Sequence, residues 1–278
     1  MRRVRLPDGR DVAQLGQGTW MIGENRGAAQ DEEAALALGI DLGLTLIDTA
    51  EMYGDGKSEE LIGRVIKGRR DGVFLVSKVY PHNASARGVP TACARSLERL
   101  GVEQIDLYLL HWRGGTPLAE TVAAFEKLKA EGKIGAWGVS NFDAGDMAEL
   151  ASVPNGKNCA TNQVLYHPAS RGIEFDLIPQ AAAGGTTVMA YSPFGHSGGP
   201  LRSPALAAVG KRHNATPAQI ALAWAMRHPN VIVIPKAGNP AHVRENAAAA
   251  AIRLSAGDLA AIDAAHPPPR GTQSLAML

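Results

Sequence analysis

Cysteine is scarce in this chain. Only Cys93 and Cys159 occur among 278 residues, and they form no CxxC pair. That excludes a disulfide scaffold and a cysteine zinc site, and leaves two reduced thiols as the expectation. No stretch approaches the roughly 18 uninterrupted apolar residues of a membrane span, so no membrane partner is expected. The basic start, Met1-Arg2-Arg3-Val4-Arg5, is not followed by the apolar core of a signal peptide. A cytoplasmic location is the resulting expectation. Neither charge sign dominates, with 28 Lys and Arg against 27 Asp and Glu for a net +1. A nucleic-acid partner is therefore not expected, because such surfaces carry a basic surplus. No His-x-His follows the first strand candidate and no dense His/Asp cluster is visible, so no metal is expected and a metal-dependent hydrolase ranks low.

What is present suits an α/β barrel. Apolar residues make up 45% of the chain, enough for a sizeable core. Barrels often occupy this length as a single domain, here residues 1–278. Eight strand candidates run in order at 15–19, 45–48, 73–77, 107–110, 136–139, 160–163, 187–190 and 231–234. Most start about 25 to 35 residues apart, the spacing of strand-plus-helix units. Helices are predicted at 28–42, 90–100 and 118–131, with Gly43, Gly101 and Gly132 at or just past their ends. Thr216-Pro217 reads as N-cap and N1 of a helix continuing to His228. The long gap before the last strand holds additional helix, and the alanine run 247–251 suits a helix too. Alternation implies a parallel sheet, and eight units imply closure into a (β/α)8 TIM barrel. Asp8-Gly9 between two short runs predicts an N-terminal β-hairpin that closes the bottom. Pro267-Pro268-Pro269 makes the tail irregular.

In such a barrel, active residues sit at the C-terminal ends of strands and in the loops that follow. Three consecutive strand candidates end in Asp48, Lys78 and His111, and Tyr53 lies in the loop after Asp48. Each has a bland reading alone: a helix cap, a surface aromatic, a snorkelling lysine, a satisfied core histidine. Together at one rim they need partners, and the nearest are one another. The chemistry of the group is coherent. A tyrosine hydroxyl titrates near pH 10, a neighbouring ammonium lowers that value, and a carboxylate holds the ammonium in place. A tyrosine tuned this way serves as a general acid, while histidine polarises a carbonyl oxygen. Reduction of a C=O with hydride from a cofactor fits.

At these residues the sequence resembles the aldo-keto reductases, over nearly its whole length. The resemblance rests on seven ordered motifs. They are Leu15-Gly16-Gln17-Gly18-Thr19-Trp20, Ile47-Asp48-Thr49-Ala50-Glu51-Met52-Tyr53-Gly54, Val76-Ser77-Lys78-Val79-Tyr80, Leu110-His111-Trp112, Gly138-Val139-Ser140-Asn141-Phe142, Asn162-Gln163 and Ile234-Pro235-Lys236. The short loops resemble a bacterial branch associated with methylglyoxal and other small aldehydes. What the resemblance implies is NADPH-dependent reduction of small aldehydes and ketones, with Tyr53 as proton donor, Lys78 and Asp48 tuning it, and His111 orienting the carbonyl. It places the nicotinamide against Tyr191, its amide held by Ser140, Asn141 and Gln163, with Gly18, Thr19, Trp20 and Asp48 at the same end. Ser192, Phe194 and Gly195 would run beside the pyrophosphate, and Lys236, Glu245 and Asn246 would hold the adenosine end. A phosphate site late in the barrel, near a helix N-terminus, has its own physical basis.

The chain departs from the family pattern there. A hydroxyl residue usually follows the lysine and an arginine stands six positions on; this chain has Ala237 and His242. Histidine grips a phosphate less firmly than bidentate arginine. NADPH remains the expected cofactor, with Asn239 or Arg244 assisting, and NADH is kept as a second. Trp20, Tyr80 and Trp112 would wall the substrate pocket, with Met21 and Tyr166 as weaker candidates. Trp224 reads as helix core, and Trp137 has no assigned role. A monomer is the family default.

Other motifs match the sequence in part. Tyr53 and Lys57 have the spacing of the short-chain dehydrogenase pair, but Gly54 and Gly56 oppose the helix that pair needs. Gly16-Gln17-Gly18 continues with Met21 where a dinucleotide fingerprint has glycine. Gly56-Lys57-Ser58 matches the end of a P-loop, with Glu51 where the earlier glycine belongs. The serious alternative is an NADP-binding regulatory or redox-sensor barrel with little turnover.

Overall fold

Strands buried on both faces read as short, nearly continuous apolar runs. Leu46–Asp48 (β4), Phe74–Val79 (β5), Ile105–Leu110 (β6) and Val231–Ile234 (β10) are such runs, and only the first residue of β5 and Asp106 of β6 are not fully buried. The computed structural model describes residues 1–25 and 27–278. Its main sheet has eight parallel strands in sequence order, adding Gln17–Gly18 (β3), Ile134–Ser140 (β7), Thr161–Leu165 (β8) and Thr187–Tyr191 (β9). Bridges Leu15↔Val233 and Gly18↔Lys236 bring the first and last strands together and close the barrel. All eight expected strands are present; the first is shorter than 15–19 because only Gln17 and Gly18 pair with β4.

Helices fill the intervals: Ala29–Asp41 (α1), Lys57–Ile66 (α2), Gly88–Leu100 (α3), Leu118–Ala130 (α4), Ala144–Ser152 (α5) and Leu177–Gly184 (α6). The long gap before β10 holds both Pro204–His213 (α7) and Pro217–Ala225 (α8), and Pro240–Ala248 (α9) and Ala256–Ala265 (α10) follow. Helix α3 begins before Pro90 because a proline in the first turn leaves no needed N–H missing. Gly101, with φ +63°, caps its end in the left-handed region. Thr216 and Gln219 cap α8 reciprocally, but the helix stops at Ala225 rather than at His228. The alanine run is half α9 and half a tighter turn, Ala249–Ala251.

Arg3–Arg5 (β1) and Asp11–Ala13 (β2) pair antiparallel as the predicted hairpin. Val4, Leu6 and Val12 pack with Leu46, Val76, Leu107, Leu109 and Ile232 in one cluster, so the hairpin seals the barrel interior from below. Apolar packing outside the strands holds the helices. Trp137 stacks on Phe125 at 5.6 Å and donates its indole N–H to Glu126 at 2.6 Å, which gives this tryptophan a purely structural place. Trp224 is fully buried core against Tyr166. The rigid wall that results presents the ends of β4, β5 and β6 side by side at the open rim.

Candidate active site

Parallel pairing sets the register of that rim. Asp48 ends β4 opposite Val76 of β5, and Lys78 lies opposite Leu109, two residues before His111. Lys78 is fully buried. An ammonium has three donors, and here they reach Asp48 Oδ2 at 2.8 Å, the Thr49 carbonyl at 2.8 Å and the Tyr53 hydroxyl oxygen at 3.1 Å. The other Asp48 oxygen accepts from Gln163 Nε2 at 2.7 Å. The carboxylate therefore cannot turn away, and the lysine cannot either.

The electrostatics follow from this packing. Burial opposes charge on Lys78, but Asp48 and Tyr53 outweigh it and hold the ammonium above its ordinary value. Burial lifts the Asp48 carboxyl, with Lys78 and Gln163 pulling the other way. For Tyr53, burial raises the hydroxyl pKa more than Lys78 lowers it, and Asp48 adds to the rise. This corrects the expectation of a lowered value: the sequence shows the ammonium but not the depth at which the phenol lies. Tyr53 is thus a neutral phenol whose oxygen already accepts from Lys78, leaving its own proton free to point elsewhere. His111 is pushed down to about 2 by burial and by the Lys78 charge, so its imidazole is neutral. Its ring stands edge-on to Tyr53 with centroids 5.9 Å apart, and its Nδ1 is buried without a hydrogen-bond partner among the described residues.

A cavity of about 200 Å³ opens above these groups. Its lining brings Gly18, Thr19, Trp20, Asp48, Tyr53, His111, Trp112, Ser140, Asn141, Gln163, Tyr191, Ser192 and Lys236 together. The polar members are tied to one another. Ser140 Oγ donates to the Gln163 carbonyl at 2.8 Å, Tyr191 donates to Asn141 Oδ1 at 3.0 Å, and Asn141 Nδ2 donates to the His111 carbonyl at 3.2 Å. Asn141 and Ser192 hold left-handed backbone, φ +59° and +46°, which turns the chain sharply at the ends of β7 and β9. Thr19 donates to the Asp48 carbonyl at 2.9 Å.

Other expected residues lie outside the lining. Lys78 sits behind Tyr53 and Asp48. Tyr80 stands edge-on to Trp112 at 5.7 Å and near His111, beside the cavity. Phe194 and Ala237 pack against the core, and a side chain at Gly195 would collide with Pro200. His242 is exposed in the first turn of α9, Asn246 is buried, and Glu245 accepts from the Thr216 hydroxyl. Asn239 caps α9 by accepting the Ala241 N–H at 2.7 Å. Tyr166 is core, its hydroxyl bonded to Glu174 at 2.6 Å, and does not wall the cavity. Met52, Ile234 and Leu278 line it and were not expected. Nothing in an irregular tail signals where its last residue lies, and the Thr49 carbonyl that fixes Lys78 is backbone, invisible to residue type.

Among the described residues, no group of three or more His, Cys, Asp or Glu is placed to hold a metal ion, and no helix is long and apolar enough to cross a membrane. Cys93 and Cys159 are buried free thiols, each raised to about 12 by burial.

Known proteins are similar to this chain in sequence and fold. The profile of the Aldo/keto reductase family matches residues 14–267. Methylglyoxal reductase YeaE of Escherichia coli (strain K12) is 51% identical over 268 residues, covering 95% of this chain and 94% of that protein. Glyoxal reductase of Bacillus subtilis (strain 168) is 34% identical over 264 residues, covering 94% of this chain and 91% of that protein. The crystal structure of an aldo/keto reductase from Klebsiella pneumoniae, in complex with NADP and acetate, superposes with a TM-score of 0.98 at 49% identity, covering 100% of this chain and 99% of that one.

Proposed function

This chain belongs to the aldo/keto reductase family and is an oxidoreductase, and we propose that it reduces small aldehydes and ketones, methylglyoxal-like carbonyls among them, with NADPH. The observation that carries the chemistry is the occupied lysine: Lys78 donates to Asp48, Thr49 and Tyr53, which leaves the Tyr53 proton for an acceptor in the cavity that Tyr53 lines. The relatives' names support the substrate class, and the Klebsiella complex supports the cofactor.

The residues fit a bound dinucleotide. One cavity runs from Tyr53 and His111, past the Tyr191 ring and the amides of Asn141 and Gln163, to the cationic Lys236. A flat ring face with amide partners at one end and a cation at the other suits an extended anionic cofactor. Tyr191, Ser140, Asn141 and Gln163 would hold the nicotinamide, with Gly18, Thr19, Trp20 and Asp48 beside it. Ser192, Phe194 and Gly195 would follow the pyrophosphate, and Lys236, Ala237, His242, Glu245 and Asn246 the adenosine end. When bound, the cofactor supplies hydride to the carbonyl carbon.

This chain's side chains do the rest. His111 is neutral, so it offers an N–H to the carbonyl oxygen without adding positive charge beside Lys78. Tyr53 donates its proton to that oxygen as charge develops there, and Lys78, already bonded to the phenol oxygen, stabilises the phenolate that forms. Asp48 keeps the ammonium in place. Water then restores the Tyr53 proton. Trp20 and Trp112 would wall the substrate side, with Tyr80 edge-on to Trp112 beside the cavity. The buried unpaired thiols fit a reducing compartment such as the cytoplasm.

The test is NADPH oxidation with methylglyoxal and an aldehyde panel, for the wild type and Tyr53→Phe. Steady turnover by the wild type with a large loss in the variant is expected. Unchanged kcat in the variant sinks the proton-donor role, and slow single turnover by the wild type would favour a sensor.

A further inference from the structure

Two buried carboxylates bracket Tyr53 in sequence, and neither lines the cavity. Glu59, in the first turn of α2, accepts from Ser77 Oγ at 2.6 Å on one oxygen and from Arg99 Nε at 2.6 Å on the other. Glu51 accepts the Tyr80 backbone N–H at 2.8 Å and Asn83 Nδ2 at 3.0 Å, and its second oxygen pairs with Arg95 at 3.5 Å. Ser77 immediately precedes Lys78, and Tyr80 follows it by two positions. The segment that carries Tyr53 is thus fastened to the strand that carries Lys78 on both sides of the lysine. Arg95 and Arg99 both project from α3, four residues apart and therefore on one face. The buried Tyr108 hydroxyl faces the same cluster: burial, with Cys93, Glu51 and Glu59 adding and Ser96 opposing, pushes it well up.

The segment needs fastening. Gly54, Asp55 and Gly56 hold three successive left-handed conformations, φ +57°, +53° and +89°. Locally the turn is closed by backbone bonds, Asp55 N–H to the Met52 carbonyl at 3.3 Å and Lys57 N–H to the Tyr53 and Gly54 carbonyls, while Glu51 and Glu59 tie it to β5. Arg99 lies directly beneath it: a Cβ on Gly56 would fall 2.4 Å from Arg99 Cδ. A buried ion pair such as Glu59–Arg99 contributes little net stability compared with apolar packing, and the half-exposed Glu51–Arg95 pair contributes little either, so what both supply is geometry.

We propose that Glu59–Arg99 and Glu51–Arg95 are positioning pairs that set the Tyr53 hydroxyl against Lys78. The inference rests on Tyr53 as the proton donor, and Tyr53→Phe is included to separate the two claims. The experiment measures kcat, KM, the pH profile of kcat and Tm with saturating NADPH and methylglyoxal. The variants are Ser77→Ala, Arg99→Lys, Glu51→Gln and Glu51→Ala, with Arg64→Ala, an exposed pair with Glu33, as control. Ser77→Ala and Arg99→Lys lower kcat by about ten-fold or more, since small misplacements at a reacting centre are costly. KM stays near wild type in both, and the kcat profile shifts because the Tyr53–Lys78 contact has loosened. Glu51→Gln keeps an oxygen for the Tyr80 N–H and retains more activity than Glu51→Ala. Arg64→Ala behaves as wild type. Folded variants with lower Tm but wild-type kcat and pH profile would overturn the proposal. If Arg99→Lys fails to fold, Ser77→Ala decides alone, because it removes a single hydroxyl. Retained kcat in Tyr53→Phe removes the premise; lost kcat there with unaffected Ser77→Ala and Glu51→Ala removes only the pairs.

Discussion

The two ends of the cavity are built differently. At the tips of β4, β5 and β6, Asp48, Lys78 and His111 are buried, and Asp48 and Lys78 are held by contacts below 3 Å. After β10, Lys236 is exposed, Ala237 leans on the core, and His242 points into solvent. In the proposed reaction one end delivers a proton across about 3 Å, where slack costs rate steeply. The other would attract a phosphate, which charge can do through water and at variable distance, subject to screening by salt. Departures from the family pattern lie at the end that tolerates them.

The largest effects are expected at the buried end. Tyr53→Phe should lower kcat by about 10²–10⁴-fold, the range for loss of a positioned acid. Lys78→Met should lose comparable activity and also stability. Removing one member of a buried pair leaves an uncompensated charge on Asp48, a loss of about 3–5 kcal/mol. Denaturant unfolding followed alongside kcat separates the two losses. Wild-type stability in Lys78→Met would show that Asp48 is uncharged, and the contrast between the two ends would then fail.

His111→Ala comes next, with a loss of about 10²–10³-fold in kcat, typical for a donor to a developing oxyanion. The folded value near 2 means that kcat shows no inflection near pH 6.5 from this residue. The same displacement affects stability. The lowered histidines, with His167 and His228 each near 4 through burial first, stay neutral in the fold but protonate when unfolded. Their contribution is present above about pH 6.5 and is lost as pH falls from there toward 4 for His167 and His228 and toward 2 for His111. Tm should therefore decline between pH 6.5 and 4, with proton uptake on unfolding. An acid-insensitive Tm over that interval would contradict the buried, neutral assignment.

How legible each end is in the sequence follows the same division. Strand-and-helix spacing exposes the barrel, because eight apolar runs alternate with helical segments, some with a clear boundary signal such as Gly101 after α3 or Thr216 before α8. Asp48, Lys78 and His111 were readable because each directly ends or follows an apolar run, where the fold places reacting groups. Three contributions were not. The Thr49 carbonyl on Lys78 is backbone. The net rise of the Tyr53 pKa depends on burial, which a motif does not encode. Leu278 reaches the cavity from a tail without periodicity. Tyr166 shows the converse: an aromatic just after a strand has the sequence look of a pocket residue, but it packs on Trp224 and bonds Glu174 instead.

The smallest effects are expected at the open end, and they sharpen the contrast most directly. Lys236→Ala should lower kcat/KM for NADPH by roughly five- to ten-fold, about 1 kcal/mol, because an exposed charge contact is worth little more than that. NADH should be nearly unaffected, since it lacks the 2′-phosphate. His242→Arg should raise the NADPH-to-NADH ratio a few-fold by restoring a bidentate grip. Both changes should shrink at high salt, whereas the losses in Tyr53→Phe and Lys78→Met should not, because the buried end is shielded from counterions. If Lys236→Ala leaves the cofactor preference unchanged, the lysine does not read the 2′-phosphate. If its effect is insensitive to salt, the phosphate end is as dry as the catalytic end, and the physical basis of the comparison is wrong.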